Sequence, residues 1–118
     1  MQTTRLPIHR KGCELLKLAF QIQQNMPRGQ KRLLGEKITR HCTDMVELMA
    51  LANASRGEQR AEFIRELLAR VRTVQVLMRV CVDLQAMSLS RWAKAIEMLE
   101  NIGKQGGGWL KSAKAPAA

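Results

Sequence analysis

Apolar residues recur along most of the chain at three- and four-residue spacing, which is the period of an α-helix with one buried face. The pattern predicts four helices, over about residues 8–25, 30–53, 58–86 and 89–111. The segments "MPRG" and "ASRG" and a short turn capped by Ser88 or Ser90 separate them. The sequence therefore predicts one all-α domain over residues 8–112, with an N-terminal arm over residues 1–7 and a disordered tail over residues 113–118.

Each predicted helix has one face that we expect to form the core. In chain order these faces are Ile8, Leu15, Leu16, Ala19, Phe20 and Ile22; Leu34, Ile38, Met45, Leu48, Met49 and Ala52; Ile64, Leu67, Leu68, Val71, Val74, Met78, Cys81 and Val82; and Leu89, Trp92, Ile96, Leu99 and Ile102. Three consecutive glycines follow the fourth face, and each costs about 1 kcal/mol relative to alanine inside a helix. We nevertheless predict that the helix continues to about Lys111, with Gly103 and Gly106 letting a neighbouring helix approach and Trp109 buried as an anchor.

The third helix is apolar on more sides than one core covers, above all in "VQVLMRVCVDL", residues 74–84. Its polar residues are spaced four apart and share one narrow stripe: Gln75, Arg79 and Asp83. Three apolar residues point away from the core face of this helix: Val76, Val80 and Leu84. We expect a second subunit to bury them, so the chain is predicted to self-associate. The alternative is a central helix that neighbours from its own chain cover on both sides.

The chain carries 20 Lys and Arg against 10 Asp and Glu, and its pI is about 10.4. This surplus favours association with polyanions, and nucleic acid is the leading candidate. With two Trp, two Phe and no Tyr, the chain is poorly equipped for base stacking or for a membrane-surface helix, so we expect contacts with phosphates. The candidate residues are the uncompensated cations Arg28, Lys31 and Arg32 and a ridge at seven-residue spacing, Arg65, Arg72 and Arg79.

Ordinary solvated surface is the alternative for the basic ridge, because Arg79 can pair with Asp83 four residues on. In the second helix, Arg40 and Asp44 are expected to neutralise one another in the same way. His41 lies on or beside an apolar face, where a hydrogen-bonded histidine is expected rather than a base or a ligand.

The residues offer no candidate active site. The chain has two histidines and no pair of carboxylates on a shared apolar face. His41 next to Cys42 lacks zinc-site spacing, and "KQGGGWLK" lacks both the preceding strand and the ending of a phosphate-binding loop. We therefore predict a non-enzymatic protein with no cofactor, metal or small-molecule substrate. Three dispersed cysteines, expected to be buried thiols, and the absence of a leader or an apolar run of ~18 residues predict a cytoplasmic protein without a membrane anchor.

Four segments carry a resemblance to a known family: "LPIHRKGCELL", "MPRGQKRLLGEKI", "AMSLSRWAKAIEMLENIG" and "GGGWLKS". In this order, over about residues 6–112, the chain resembles the accessory variability proteins (Avd) of diversity-generating retroelements, within a wider group of bacterial four-helix-bundle proteins. Related proteins encoded in intervening sequences of ribosomal RNA genes usually carry an "IPANIAEG"-like segment and a tryptophan in the first helix. Here the corresponding segment is "MVELMALANASRG" and the first helix has no tryptophan, which favours the retroelement branch.

The resemblance implies an up-down antiparallel four-helix bundle that assembles into a homopentameric ring. It also implies binding to the element's reverse transcriptase and to nucleic acid, as template RNA or cDNA, in support of mutagenic cDNA synthesis and hypervariation of a target gene. Two alternatives stay open at this point. One is an RNA-binding bundle of the ribosomal type with no reverse transcriptase partner, and the other is a protein-interaction scaffold whose basic surface meets an acidic partner.

Overall fold

The computed structural model describes residues 2–114, and these form four long helices and no strand. Helix α1 spans Pro7–Gln24, after a 3-10 turn at Thr3–Arg5. Helix α2 covers residues 28–54, α3 spans Gly57–Asp83, and α4 spans Leu89–Lys114. The predicted all-α class with four helices is confirmed.

Consecutive helices run antiparallel and pack in cyclic order, α1 against α2 and α4, and α3 against the same two neighbours. The contacts between α1 and α2 show this direction, because Gly12, early in α1, lies against Met49, late in α2, and Gln23, late in α1, lies against Gly35, early in α2. The resulting bundle measures 52 × 22 × 20 Å. We call the end where α1 and α3 finish and α2 and α4 begin the turn end of the bundle.

The core is a single column of aliphatic, methionine and cysteine side chains along the bundle axis. Its largest fully buried members are Leu15, Ile22, Ile38, Met45, Met49, Ile64, Leu67, Met78, Leu99, Ile102, Val74 and Cys42. The buried hydroxyl of Thr39 is satisfied, because it donates to Gln23 Oε1 across the α1–α2 contact at 2.8 Å. Each helix therefore contributes one stripe to the same core.

Two predicted core residues are wrong, since Phe20 and Leu89 are largely exposed. Phe20 lies at the outer edge of the α1–α2 groove, beside Arg40 and Thr43, and not between the helices. Leu89 is the first residue of α4 and lies beyond the last core layer. Cys13 is half-buried rather than buried, in contrast to Cys42 and Cys81.

Helix α2 begins irregularly, with a helical turn at Arg28–Gln30 and a π-helical turn at Lys31–Gly35 before the regular part Glu36–Ala54. Gly35 lets this turn pack closely against the end of α1, because a Cβ there would lie 2.8 Å from Gln23 Cγ. The extra residue of a π turn rotates the preceding side chains around the helix axis. As a result, Leu33 points into solvent.

Helix α3 ends at Asp83, three residues before the predicted boundary, in a Schellman motif. The Gln85 N–H donates to Val82 O at 3.0 Å and the Ala86 N–H donates to Cys81 O at 2.7 Å. Gln85 adopts a left-handed φ of 59°, a position that usually holds glycine. Helix α4 then starts with Ser88 as its N-cap, because the Ser88 Oγ accepts a hydrogen bond from the Arg91 N–H at 3.2 Å. Ser88 is one of the two residues predicted for this cap.

Helix α4 continues through Gly106–Gly108, as predicted, and extends to Lys114. Gly106 is buried where α4 meets α3, and a Cβ there would lie 2.8 Å from Leu68 Cδ2. A Cβ at Gly103 would lie 4.0 Å from Val71, which is an ordinary contact, so the close approach is required at Gly106. Residues 113–114, which the sequence pattern assigns to a disordered tail, are the last two residues of this helix. The rest of that predicted tail lies outside the described residues.

Trp109 is half-buried at the end opposite the turn end. The Arg60 guanidinium lies 6.0 Å from its ring centroid. The same guanidinium donates to Ala52 O at 2.9 Å and to Asn53 O at 3.2 Å, the last carbonyls of α2. Trp109 therefore anchors a cation that caps α2 and complements the negative end of its dipole.

The glycines of α4 give a stability prediction. A Cβ at Gly108 meets no atom within 4 Å, so Gly108→Ala is expected to raise the free energy of unfolding by about 1 kcal/mol through helix propensity. Gly106→Ala is the matched control and should gain less, because Leu68 must move to admit the methyl group. Denaturant unfolding followed by circular dichroism measures both variants, and equal gains would contradict the close approach at Gly106.

Candidate nucleic-acid interface

Three of the predicted nucleic-acid contacts lie together in the first turns of α2. Arg28 and Arg32 are exposed and Lys31 is half-buried. Among the described residues, none of the three is paired with a carboxylate. The structure therefore brings Arg28, Lys31 and Arg32 into one group at the turn end with their charges uncompensated. We call this group the α2 basic cluster.

The turn end as a whole carries most of the positive surplus of the chain. Residues 20–40 and 76–95, which form this end of the antiparallel bundle, contain eight Lys or Arg and two acidic residues. The rest of the chain contains twelve basic and eight acidic residues. A polyanion that approaches the bundle is therefore attracted most strongly to the turn end.

The predicted ridge of Arg65, Arg72 and Arg79 is exposed along α3, but two of its members are paired. Arg65 Nη1 lies 2.8 Å from Glu58 Oε1, and this hydrogen bond lowers the pKa of Glu58. Arg79 Nε lies 3.3 Å from Asp83 Oδ1, which confirms the predicted pair. The ridge spans about 21 Å at 1.5 Å per residue, so only its Arg79 end reaches the turn end.

Arg79 makes a second contact, with its guanidinium 5.6 Å from the ring centroid of Trp92 on α4. Cation–π contacts of this kind are worth about 0.5–1 kcal/mol at exposed sites. Together with the Asp83 pair, this contact holds Arg79 against the α3–α4 surface. Of the three ridge residues, Arg72 is the one that forms no ion pair with a described carboxylate.

The predicted Arg40–Asp44 pair is wrong. Asp44 Oδ2 instead accepts from Arg70 Nη1 of α3 at 2.9 Å. The Arg70 guanidinium also lies 3.0 Å from His41 Nδ1 and 3.7 Å from Glu66 Oε1. Burial and the Arg70 charge lower the pKa of His41, so its ring is neutral near pH 7 and accepts this hydrogen bond. Arg40 is left exposed and adds to the positive field near the turn end.

The apolar stripe predicted for a subunit interface lies on the outer surface of α3. Val76, Val80 and Leu84 are 63%, 38% and 54% exposed. The other helices of the chain leave these residues uncovered, so the alternative of a central helix covered on both sides is wrong. Leu33, which the π turn directs outward, lies at the same end of the bundle as Leu84 and is 76% exposed. We call Val76, Val80 and Leu84 the α3 apolar face.

A cavity of about 650 Å³ opens at the turn end, between the end of α1 and the connection from α3 to α4. Its lining includes the apolar residues Ile22, Val82 and Met87 and the polar residues Asn25, Gln85 and Arg91. Sequence reasoning missed it, because three segments far apart in the chain form it. The one local signal was the interrupted helical pattern near residues 85–88.

The described residues contain no group of three or more His, Cys, Asp or Glu that could hold a metal ion. Burial raises the pKa of Cys42 to about 12 and also raises that of Cys81, so both thiols are protonated at neutral pH. In the part of the chain that the structure describes, no helix is both long and apolar enough to cross a membrane.

Comparison with models of protein families gives a match. The family model described as bAvd-like covers residues 6–113, from the residue before α1 to the last turn of α4. Searches among curated proteins and among solved structures found no match. The matched range includes every helix of the bundle, the α2 basic cluster, the α3 apolar face and the turn-end cavity.

Proposed function

The chain belongs to the bAvd-like family, and from this premise we propose that it is a non-catalytic accessory protein of a diversity-generating retroelement. In this role it binds the reverse transcriptase of the element together with template RNA or cDNA. It thereby supports mutagenic cDNA synthesis and hypervariation of a target gene. The observation that carries the proposal is the family match over the whole bundle, and the surface chemistry is compatible with it.

The positive field of the turn end supports nucleic-acid binding. The α2 basic cluster offers three cations that no described carboxylate neutralises. Lys37 and Arg40 follow on the next turns of α2 and are exposed. With no aromatic residue in the cluster, binding runs through phosphates and is insensitive to base sequence. Sequence choice then belongs to the reverse transcriptase and the RNA fold.

The α3 apolar face supports self-association into a ring, as in the pentamer that the resemblance implies. Fully burying an exposed valine or leucine contributes about 1.5–3 kcal/mol, and the part of each side chain that the chain leaves exposed favours contact with a second copy. A closed ring repeats every surface of the chain by rotation, so the turn ends occupy equivalent positions around it. The α2 basic clusters are then presented together, and phosphate contacts that are weak singly add up.

A reconstitution experiment tests the accessory role. Reverse transcriptase from the same element is expected to co-purify with this chain and to synthesise mutagenised cDNA from template RNA only when the chain is present. The chain with RNA and nucleotides alone should make no cDNA. Measuring product length and substitution frequency by sequencing decides the matter. A polymerase that neither binds the chain nor changes its product in its presence would contradict the accessory role.

The α2 basic cluster is expected to supply the main phosphate contacts. Replacing Arg28, Lys31 and Arg32 together with glutamine should reduce the dependence of log affinity on log salt by about 2 to 3, since each phosphate contact contributes about 0.7 to 0.9. Fluorescence anisotropy with a labelled single-stranded RNA over a salt series measures this slope.

The ridge supplies the matched control for the α2 basic cluster, because replacing Arg65, Arg72 and Arg79 with glutamine removes the same number of charges. Two of these arginines are already paired with carboxylates, so this variant should change the salt slope by about 1 or less. Equal slopes for the two triple variants would mean that net charge, and not the α2 basic cluster, governs binding.

The α3 apolar face gives a prediction about assembly. Val80→Glu is expected to reduce the particle to a single chain of 13.3 kDa, because a buried unpaired carboxylate strongly opposes subunit contact. Phe20→Glu is the control, since Phe20 is also about half exposed but lies on the α1–α2 side. Light scattering after nuclease treatment gives both masses. An unchanged mass for Val80→Glu would move the interface elsewhere.

A further inference from the structure

The turn-end cavity has a lining that neither phosphate binding nor ring assembly uses. Its floor is apolar, with Ile22 and Met87 buried and Val82 half-buried. A volume of about 650 Å³ is within the range of sites that take a ligand or a large side chain of a partner. The cavity is therefore large enough to receive an apolar group from outside the chain.

Among the polar residues that line the cavity, Arg91 carries the one charge, and it is available to pair with a ligand. Asn25 Nδ2 donates to Gln21 O at 2.8 Å, and Ser88 Oγ is occupied by the Arg91 N–H at 3.2 Å. The Arg91 guanidinium is paired with no described carboxylate. A small polar ligand would need several converging donors and acceptors to be held in one orientation. This cavity instead offers apolar surface next to one free cation.

Leu89 extends this apolar surface outward. It lines the cavity, yet 67% of it is exposed. Covering such a leucine contributes up to about 1.5–3 kcal/mol, which the isolated chain does not gain. The left-handed Gln85 holds the connection that places Leu89 beside the cavity mouth. Leu89 and the cavity floor thus form one continuous apolar site rimmed by Arg91.

We propose that this cavity is the docking site for an acidic segment of the reverse transcriptase, which inserts a bulky apolar side chain and pairs a carboxylate with Arg91; the inference rests on the proposed function. Charge complementarity carries the choice of an acidic segment, because the turn end holds eight basic and two acidic residues. The lining residues include one cation, no aromatic ring and an apolar floor that cannot contact phosphates, so nucleic acid fits poorly.

The position of the cavity relates the two partners of the proposed complex. Pro27 lines the cavity, and Arg28 of the α2 basic cluster follows it directly in the chain. A polymerase segment in the cavity therefore lies next to the surface that holds RNA. In a ring, each subunit keeps its cavity next to its own α2 basic cluster, while subunits meet through the α3 apolar face. Val76 and Val80 of that face do not line the cavity, so a second copy can cover them without filling it.

The test uses a double variant, Leu89→Gln with Arg91→Gln, and purified reverse transcriptase as the probe. Folding is protected, because Leu89 is exposed and glutamine three residues after Ser88 completes a capping box. The control is Leu51→Gln with Lys94→Gln, which removes another exposed leucine and another positive charge, both outside the cavity. Titration calorimetry should show that the cavity variant binds the polymerase at least tenfold more weakly than the wild-type chain, which corresponds to about 1.4 kcal/mol of binding free energy. The control should bind within about twofold of the wild-type affinity.

Two further measurements distinguish the polymerase from RNA and from a second copy of the chain as the occupant of the cavity. RNA affinity and particle mass should stay at wild-type values in the cavity variant. A photo-crosslinking residue at position 89 should give a polymerase adduct, and the same residue at position 51 should give none. If the cavity variant binds the polymerase as tightly as the wild-type chain does, this inference alone is overturned. It is also overturned if the variant keeps polymerase binding but loses RNA affinity or forms a smaller particle. A wild-type chain that binds no polymerase would overturn the proposed function as well.

Discussion

Burial of one apolar stripe from each of four antiparallel helices is the constraint on which the rest of the structure depends. A bundle about 20 Å across has room for one core, so each helix can bury one face and must expose the others. Gly106 and Gly12 bring the helices close enough for the core to be continuous, since a Cβ at either would collide with Leu68 or Met49. Helix α3 has more apolar surface than this arrangement accepts. Its second stripe is therefore on the surface because of bundle geometry, and it is the surface that the proposed self-association would cover.

The same antiparallel arrangement determines where charge is left over. Glu58, Asp44, Glu66 and Asp83 each pair with an arginine of α3, so much of the acidic content neutralises that helix. The connections at the turn end bring together the starts of α2 and α4, which are rich in Lys and Arg and poor in acids. Concentrating cations there costs some stability through mutual repulsion, which screening by salt reduces. A polyanion that neutralises them relieves this repulsion, so the field favours binding at that end.

Much of this architecture could be predicted from the sequence, because helical periodicity reports burial directly. The four helices, the continuation of α4 through its glycines and the Ser88 cap follow from local pattern. Features that depend on packing between helices did not follow. Phe20 and Leu89 fit the apolar period of their helices but lie past the edge or end of the core. The partner of Asp44 is Arg70, which is 26 residues away, and i,i+4 spacing alone points to Arg40. The candidate cations were identifiable by type, but which of them are neutralised depends on side-chain geometry.

The turn-end cavity could not be predicted for the same reason, and it bears on how one small protein would serve the two proposed partners. Phosphates and polymerase segments require different chemistry, and the chain places the two kinds of surface on adjoining segments instead of mixing them. Arg28, Lys31 and Arg32 lie on an irregular helix start that directs cations outward, whereas Leu89 and Arg91 lie on the first turn of α4 beside an apolar recess. Both groups lie on helices, so the backbone of each surface is already formed before a partner binds. A partner held at one surface raises the effective concentration of the other at its neighbour, and repetition around a ring multiplies this effect without any further contact.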